Sequence, residues 1–183
     1  SSAASDVYKR QDNGLLTFWA QYAQDFGLQH TINIINNMAQ IKDEVEALIG
    51  PINLYDNQYG DNGFLTYWAE YAIDVGVNTV ETLLSNMAAI LPEVEAVIGT
   101  VDLFDDNYND NGFLSYWAEY SVANGIQNTK NILSNMHAIL NSDWDNNGTS
   151  EIEELIGAVD LFDNNYDDNG FLTYWAQQAV SGG

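Results

Sequence analysis

The stretch SDWDNNGTSEIEELIG, residues 142–157, carries oxygen-bearing side chains at closely spaced positions. The side chains that carry oxygen are those of Asp143, Asp145, Asn147, Glu151 and Glu154, and Gly148 lies between them in the sequence. Alternate side chains at the start of such a loop point inward, and the glycine permits a sharp turn. Calcium takes six to eight hard oxygen ligands of this kind in loose geometry. The stretch is therefore the best candidate for chemistry in the chain, and the chemistry is cation binding.

The segment from Asp143 to Glu154, DWDNNGTSEIEE, resembles the twelve-residue calcium loop of EF-hand proteins at every required position. The resemblance implies calcium ligands from the side chains of Asp143, Asp145, Asn147, Glu151 and Glu154, and from the backbone carbonyl of Thr149. Ser150 departs from the family, which usually has a large apolar residue there that pairs with a second loop. We therefore expect a single calcium loop, not paired with a second one, whose bound calcium has a structural role and not that of a sensor. A solvated turn between two helices is the alternative.

The loop lies inside a tandem repeat. A motif beginning Asp-Asn-Gly and continuing through Trp-Ala starts at Asp12, Asp61, Asp110 and Asp168, so successive copies are 49, 49 and 58 residues apart. Periods of this length are typical of stacked repeats. The sequence predicts repeats over residues 12–60, 61–109 and 110–167 and a half repeat over 168–183. The expected fold is all-α, with the repeats stacked as a short solenoid or bundle.

Alignment of the repeats isolates the extra residues of the third copy. Leu91 matches Leu140 and Pro92 matches Ser150, so residues 141–149 are an insertion. The position of Glu154 is Ala47 in the first repeat and Ala96 in the second. The repeat that gained the loop also carries the carboxylate that calcium requires at the twelfth position. This coincidence favours a calcium site over a plain turn.

Each repeat predicts three short helices. The first follows an Asp-Asn pair suited to capping and ends at a glycine such as Gly76. The second has a stripe of apolar residues at helical spacing, and the third begins after Pro92 and ends at Gly99. A β-hairpin around the Asn-Gly of residues 111–112 is the alternative. The helix is favoured because apolar residues continue at helical spacing to Tyr120.

Acidic residues also lie at the junctions between repeats. Pairs of aspartates five residues apart are Asp56 and Asp61, Asp105 and Asp110, and Asp163 and Asp168. Such oxygen-rich turns could hold a cation, but Asx turns and helix capping explain the same residues without a metal. The turn is favoured. Tyr59, Tyr108 and Tyr166 recur in register, and we expect them to pack against the aromatic first helices.

Composition narrows the classes of partner. The chain has 183 residues, 4 basic against 27 acidic, and a formal net charge of -23, which disfavours nucleic acid as a ligand. Cysteine is absent, so disulfides and thiolate metal sites are excluded. No apolar run approaches the roughly 20 residues of a membrane span. The 46% of hydrophobic residues indicates a folded core.

The first eleven residues need separate treatment. DVYKRQ, Asp6 to Gln11, resembles the translation of a transposase adaptor used in sequencing libraries. The resemblance implies a non-native leader over residues 1–11 of an environmental, metagenomic sequence. Two of the basic residues lie in that segment, and Lys42 and Lys130 then remain.

Nothing in the sequence favours catalysis. His30 and His137 occupy different positions in the repeat, and neither a Ser-His-Asp spacing nor a glycine-rich phosphate loop is present. An oxygen-only calcium site is also a poor generator of nucleophilic water. We therefore expect a protein that is not an enzyme.

Three functional interpretations follow. The preferred one is a calcium-stabilised structural or assembly protein, extracellular or at the cell surface, where millimolar calcium saturates weak sites. The final half repeat suggests head-to-tail association into filaments. The alternative is a module that binds glycans through its aromatic helices, or a protein partner, as dockerins do with EF-hand-type loops. The low content of Lys and Arg also fits adaptation to a high-salt cytoplasm, although the abundant Asn weakens that interpretation.

Overall fold

A computed structural model describes residues 2–55, 61–104, 110–162 and 168–182, with side chains from residue 14 onward except those of residues 110 and 168. Within these ranges every regular element is a helix, which confirms the all-α prediction. The helices are α1 (Ser2–Phe26), α2 (Leu28–Ile49), α3 (Asp61–Val75), α4 (Val77–Ile98), α5 (Asp110–Asn124), α6 (Ile126–Leu140), α7 (Glu151–Ile156) and α8 (Asp168–Gly182). The hairpin alternative is wrong for the described residues, because α5 begins at Asp110.

Among their described residues the first two repeats contain two helices each, and the prediction of a separate third helix was wrong for them. Helices α2 and α4 run on through the expected third helix, and Pro92 lies inside α4. The reason is the apolar stripe, which continues unbroken through Met87, Ile90 and Val94, all buried. Burial of a continuous stripe outweighs the loss of one backbone hydrogen bond at proline. The described part of the third repeat does contain three helices, since its insertion separates α6 from α7.

The predicted glycine stops are confirmed. Gly76 and Gly125 follow the first helices of their repeats with φ of +90° and +83°. An L-residue rarely adopts this conformation, so glycine ends one helix and lets the next begin within a single residue. The chain thereby turns from α5 into α6, and these two helices pack against each other.

The chain forms two compact units, residues 1–85 and 86–183, and the division falls within α4. In the first unit α2 packs against both α1 and α3. In the second unit α6 packs against α5, α7 and α8. The second helix of a repeat therefore lies at the centre of each unit.

One hydrogen bond recurs wherever a second helix meets the first helix of the next repeat. The Nδ2 of Asn37 donates to the Ala69 carbonyl at 3.0 Å, Asn86 donates to Ala118 at 3.4 Å, and Asn135 donates to Ala176 at 3.1 Å. Alanine at the acceptor position lets the two backbones approach closely. The third copy of this contact is preserved although nine extra residues precede Ser150 in its repeat, so the insertion leaves repeat stacking intact.

The first helices of neighbouring repeats also touch at one repeat position. Tyr22 donates its hydroxyl hydrogen to Glu70 Oε1 at 2.7 Å, and Gln177 Nε2 donates to the hydroxyl oxygen of Tyr120 at 3.4 Å. Tyr22 and Tyr120 are equivalent in the repeat, as are Glu70 and Gln177. A polar contact between first helices therefore recurs in both units.

The core consists of the apolar stripes that the sequence indicated. The methionines that recur in register, Met38, Met87 and Met136, are all buried. Trp68 and Trp117 are also buried, whereas the aromatic ring one residue earlier in each motif points outward. The aromatic helices thus contribute both to the core and to the surface.

Candidate metal centre

The inserted residues connect α6 to α7 in a helix–loop–helix arrangement. Helix α6 ends at Leu140, and α7 begins at Glu151, the ninth position of the predicted calcium loop. The backbone N–H of Glu151 donates to the Ser142 carbonyl at 3.1 Å, which closes the base of the loop. Ser150 and Ile152 are buried and attach the start of α7 to the core. The inserted residues therefore lie between two helices and are anchored at both ends.

The carboxylate of Asp143 organises the turn. Its Oδ1 accepts the N–H of Asn147 at 3.0 Å, and its Oδ2 accepts the N–H of Gly148 at 3.0 Å. The turn needs positive φ at two residues, Asn146 at 57° and Gly148 at 88°. Asparagine and glycine tolerate this region best. The loop backbone therefore curls around the first predicted ligand.

The side chain of Asn147 links most of the predicted ligands. Its Nδ2 donates to Asp145 Oδ2 at 3.1 Å and to Glu154 Oε1. Its Oδ1 accepts the N–H of Thr149 at 2.9 Å. The structure therefore brings Asp145, Asn147 and Glu154 together, and Asp143 joins them through the backbone N–H of Asn147.

Glu151 is oriented differently from the other predicted ligands. Its Oε1 accepts the backbone N–H of Trp144, and this hydrogen bond holds the pKa of Glu151 below its usual value. Its Oε2 is buried without a hydrogen-bond donor among the described residues. One carboxylate oxygen is therefore engaged within the loop, and the other is shielded from water without a partner.

The donor set suits a hard cation, although the carboxylates are not gathered around one point. Across the described part of the chain, no three Asp, Glu or His side chains are close enough to hold a metal ion. In this conformation the Asn147 amide occupies the space between Asp145 and Glu154. Every predicted ligand atom is oxygen, which matches calcium and excludes the nitrogen and sulfur sites typical of zinc.

Most of the junction residues lie outside the described part of the chain. These are Asp56, Asp105, Asp163, Tyr59, Tyr108 and Tyr166, together with the side chains of Asp110 and Asp168. Asp61 is described, and its Oδ2 accepts the N–H of Asn53 at 3.0 Å. Just before each junction, an Asx turn forms at Asn53, Asp102 and Asp160, whose Oδ1 atoms accept the N–H two residues later at 3.1, 3.0 and 2.9 Å.

The sequence analysis missed one feature of this loop and one feature of the interfaces between repeats. It did not foresee that the Asn147 amide would bridge two ligand carboxylates, because either end of an asparagine side chain can face a given partner. It also did not identify the stacking asparagines Asn37, Asn86 and Asn135. Their recurrence immediately before the three methionines was the available signal.

None of the described helices combines the length and hydropathy needed to cross a bilayer. Comparison of the chain with protein-family models, curated proteins and solved structures finds no match. The role of the loop is therefore inferred from its own residues and geometry.

Proposed function

We propose that residues 143–154 bind one calcium ion and that this ion clips α7 onto the end of α6. The observation that carries the proposal is the placement of the twelve-residue pattern between two helices, with Asn147 linking the third and twelfth positions. The proposed ligands are the side chains of Asp143, Asp145, Asn147, Glu151 and Glu154. Thr149 contributes its backbone carbonyl oxygen.

Binding requires one local change. The Asn147 amide presents its N–H hydrogens to Asp145 and Glu154, so its partial positive charge lies between two negative groups. Rotation of the amide would direct Oδ1 inward at the cost of the 2.9 Å hydrogen bond from Thr149. Calcium then replaces the amide hydrogens as the positive group between the carboxylates. The repulsion between the carboxylates favours this exchange.

Comparison of the repeats explains why the third one needs a clip. In repeats one and two, the residues equivalent to α7 are the last turns of α2 and α4, which are held by continuous helix hydrogen bonds. In repeat three the same residues form a separate helix of 6 residues. Helices this short are not stable on their own in water. Calcium bound between α6 and α7 would restore the connection that the insertion interrupts.

The role that fits these features is structural and not catalytic. A single site built for stability needs only weak affinity where calcium is millimolar, so we place the protein outside the cell or at its surface. Bound calcium also removes part of the formal net charge of -23. We propose that this protein is a calcium-stabilised repeat protein of a structural or assembly type.

Self-association belongs to the same proposal. Two molecules of such negative charge repel each other until cations screen or bind them. Association, including head-to-tail association into filaments, should therefore increase with calcium. Light scattering across a calcium series measures this, and protein that stays monomeric at saturating calcium contradicts it.

A binding module is the second candidate, and one observation favours it. All four copies of the motif expose an aromatic ring at the same position: Phe18, Tyr67, Tyr116 and Tyr174 are 54%, 61%, 57% and 52% exposed. Each ring also meets the next residue, a tryptophan, edge to face. Regularly exposed aromatic rings suit stacking on sugar rings or on a protein partner.

The calcium proposal is tested by thermal unfolding. A ligand at about 100 times its dissociation constant adds roughly 2.7 kcal/mol when it binds only the folded state. Calcium should therefore raise the melting temperature of the wild type, and Glu154→Ala should remove most of that gain. The emission of Trp144, which is 86% exposed beside the ligands, should change during the titration.

Glu119→Ala is the matched control, because it removes one exposed carboxylate from α5, outside the loop. It should retain the full calcium-dependent gain. Equal gains in the wild type and Glu154→Ala, with unchanged Trp144 emission, would show that the loop is a plain turn.

A further inference from the structure

Asn-Gly dipeptides recur along the chain, and the one in the inserted loop differs from the others in its backbone. The asparagines of the other copies all lie within α1, α3, α5 or α8; they are Asn13, Asn62, Asn111, Asn124 and Asn169. Asn147 and Gly148 lie between α6 and α7, outside both helices. The same dipeptide is therefore present in helical and in non-helical backbone.

Asparagine is a thermolabile residue, and a following glycine makes it most reactive. The backbone nitrogen of the glycine loses its proton and attacks the side-chain Cγ, the side-chain nitrogen leaves as ammonia, and a succinimide ring closes. Water then opens the ring, so that in sum water enters and ammonia leaves without oxidation or reduction. Ring closure needs a backbone ψ well outside the helical value of about −42°. The helical copies are therefore protected, and Asn147 is not.

The nucleophile of this reaction is exposed and already held by a carboxylate. Asn147 and Gly148 are both exposed. The N–H of Gly148 donates to Asp143 Oδ2 at 3.0 Å, within the reach of a general base. Among the described residues beyond its chain neighbours, no atom lies within 4 Å of the position that a Cβ would take at Gly148. The nitrogen is thus unshielded and next to a group that can take its proton.

The amide that is attacked is also held by hydrogen bonds. Asn147 Oδ1 accepts the N–H of Thr149 at 2.9 Å, and this donor stabilises the negative charge that develops on Oδ1 during the attack. Asn147 Nδ2, the leaving nitrogen, donates to Asp145 Oδ2 at 3.1 Å and to Glu154 Oε1. The proton taken up by Asp143 returns through solvent to this nitrogen, which completes the ammonia.

The helical copy at Asn124 shows the contrast. The N–H of Gly125 donates to the Ser121 carbonyl at 2.8 Å. A carbonyl oxygen accepts a hydrogen bond but is far too weak a base to take the proton, whereas a carboxylate can act as one. The base beside Gly148 is therefore a feature of the inserted loop.

We infer that Asn147 is a site of self-catalysed deamidation in the calcium-free loop, with Asp143 as the general base and the Thr149 N–H as the donor to the developing oxyanion. Opening of the ring at Cγ gives aspartate, which adds a negative charge to the loop. Opening at the main-chain carbonyl gives isoaspartate, which lengthens the main chain by one carbon and disrupts the turn around Asp143. The reaction needs no calcium and goes beyond the proposed function.

Only the effect of calcium on the reaction rests on the proposed function. Bound calcium would occupy the Asp143 carboxylate and Asn147 Oδ1, so that neither the base nor the amide could react. Calcium should therefore slow deamidation at Asn147. The loop would then accumulate the modification only during the time that it spends without calcium.

Peptide mapping by mass spectrometry tests the inference on the full chain incubated with a chelator at neutral pH. Asn147 should deamidate at least about tenfold faster than Asn62 and Asn169, which are the same dipeptide in helices. Asp143→Asn should lower the rate at Asn147 by at least about tenfold, because an amide does not take the proton. A rate at Asn147 no higher than at the helical copies, or an unchanged or higher rate in Asp143→Asn, would overturn the inference.

Glu153→Gln is the matched control, because it removes a carboxylate of α7 that accepts the Ser150 hydroxyl hydrogen at 3.1 Å. Asn147 should deamidate in this variant as in the wild type, and equal slowing in both variants would overturn the role of Asp143 as the base. A second incubation at saturating calcium separates the two proposals. Fast reaction in chelator with no slowing by calcium would contradict the calcium site and would still support deamidation at Asn147.

Discussion

At the residue scale, the hydrogen bond between Tyr22 and Glu70 gives the fold a dependence on high pH. Burial, then the hydrogen bond to Glu70 and its negative charge, raise the pKa of Tyr22 to about 12 from the ordinary value of 10.0. A raised pKa means that the folded state favours the neutral phenol. The stabilising contribution is therefore complete below pH 10 and is lost as the pH rises toward 12.

Tyr22→Phe isolates this effect, because it removes the ionisable group and retains the ring. Urea unfolding between pH 8 and pH 12 should show the wild type losing stability above pH 10 more steeply than the variant. Tyr174→Phe is the matched control, since Tyr174 is 52% exposed. Parallel pH profiles for the wild type and Tyr22→Phe would contradict the prediction.

Asn147 offers a second prediction at the scale of one residue. Asn147→Asp replaces the amide that donates to Asp145 and Glu154 with another carboxylate. Without calcium the variant should lose about 1 kcal/mol, because hydrogen bonds are exchanged for repulsion. With calcium it should gain more than the wild type, since ligand charge raises affinity. Calorimetry with and without chelator measures both changes, and a variant weaker in calcium binding would argue against Asn147 as a ligand.

At the element scale, the stacking asparagines hold each second helix against the next repeat. Asn135→Ala removes the 3.1 Å hydrogen bond from α6 to the Ala176 carbonyl on α8. The loss should cost about 1–3 kcal/mol, since a carbonyl is left without its donor in the interface. Asn131→Ala, an exposed position on the same helix, should cost less than about 0.5 kcal/mol. Urea unfolding gives the free energy of unfolding of both variants. Equal losses would show that Asn135 does not stabilise the stacking interface.

At the scale of the whole molecule, charge opposes compactness. Both lysines with described side chains are already paired, Lys42 with Glu46 and Lys130 with Glu93. The remaining carboxylates repel one another over distances that salt screens within about 10 Å at 0.1 M. Sodium chloride should therefore raise the melting temperature in the absence of calcium, for the wild type and Glu154→Ala alike. A melting temperature that is independent of salt would show that repulsion does not limit stability.

The sequence by itself determined the repeat, the all-α fold and the place of the candidate calcium loop. Periodic apolar residues and glycine stops act locally, so the positions of Gly76 and Gly125 could be read directly from the sequence. The insertion and the change from Ala96 to Glu154 were visible because the chain carries its own copies for comparison. These features need only neighbouring residues and internal alignment.

Only the tertiary structure decided what depends on contacts between distant residues. Pro92 suggested a new helix, but burial of Val94 against other helices kept α4 continuous. The bridging position of Asn147 depends on how the loop closes onto α7. Leu16 is exposed, whereas Leu65, Leu114 and Leu172 at the same position of the repeat are buried. Local patterns fix elements, whereas burial is a property of their packing, so this difference could not be read from the sequence.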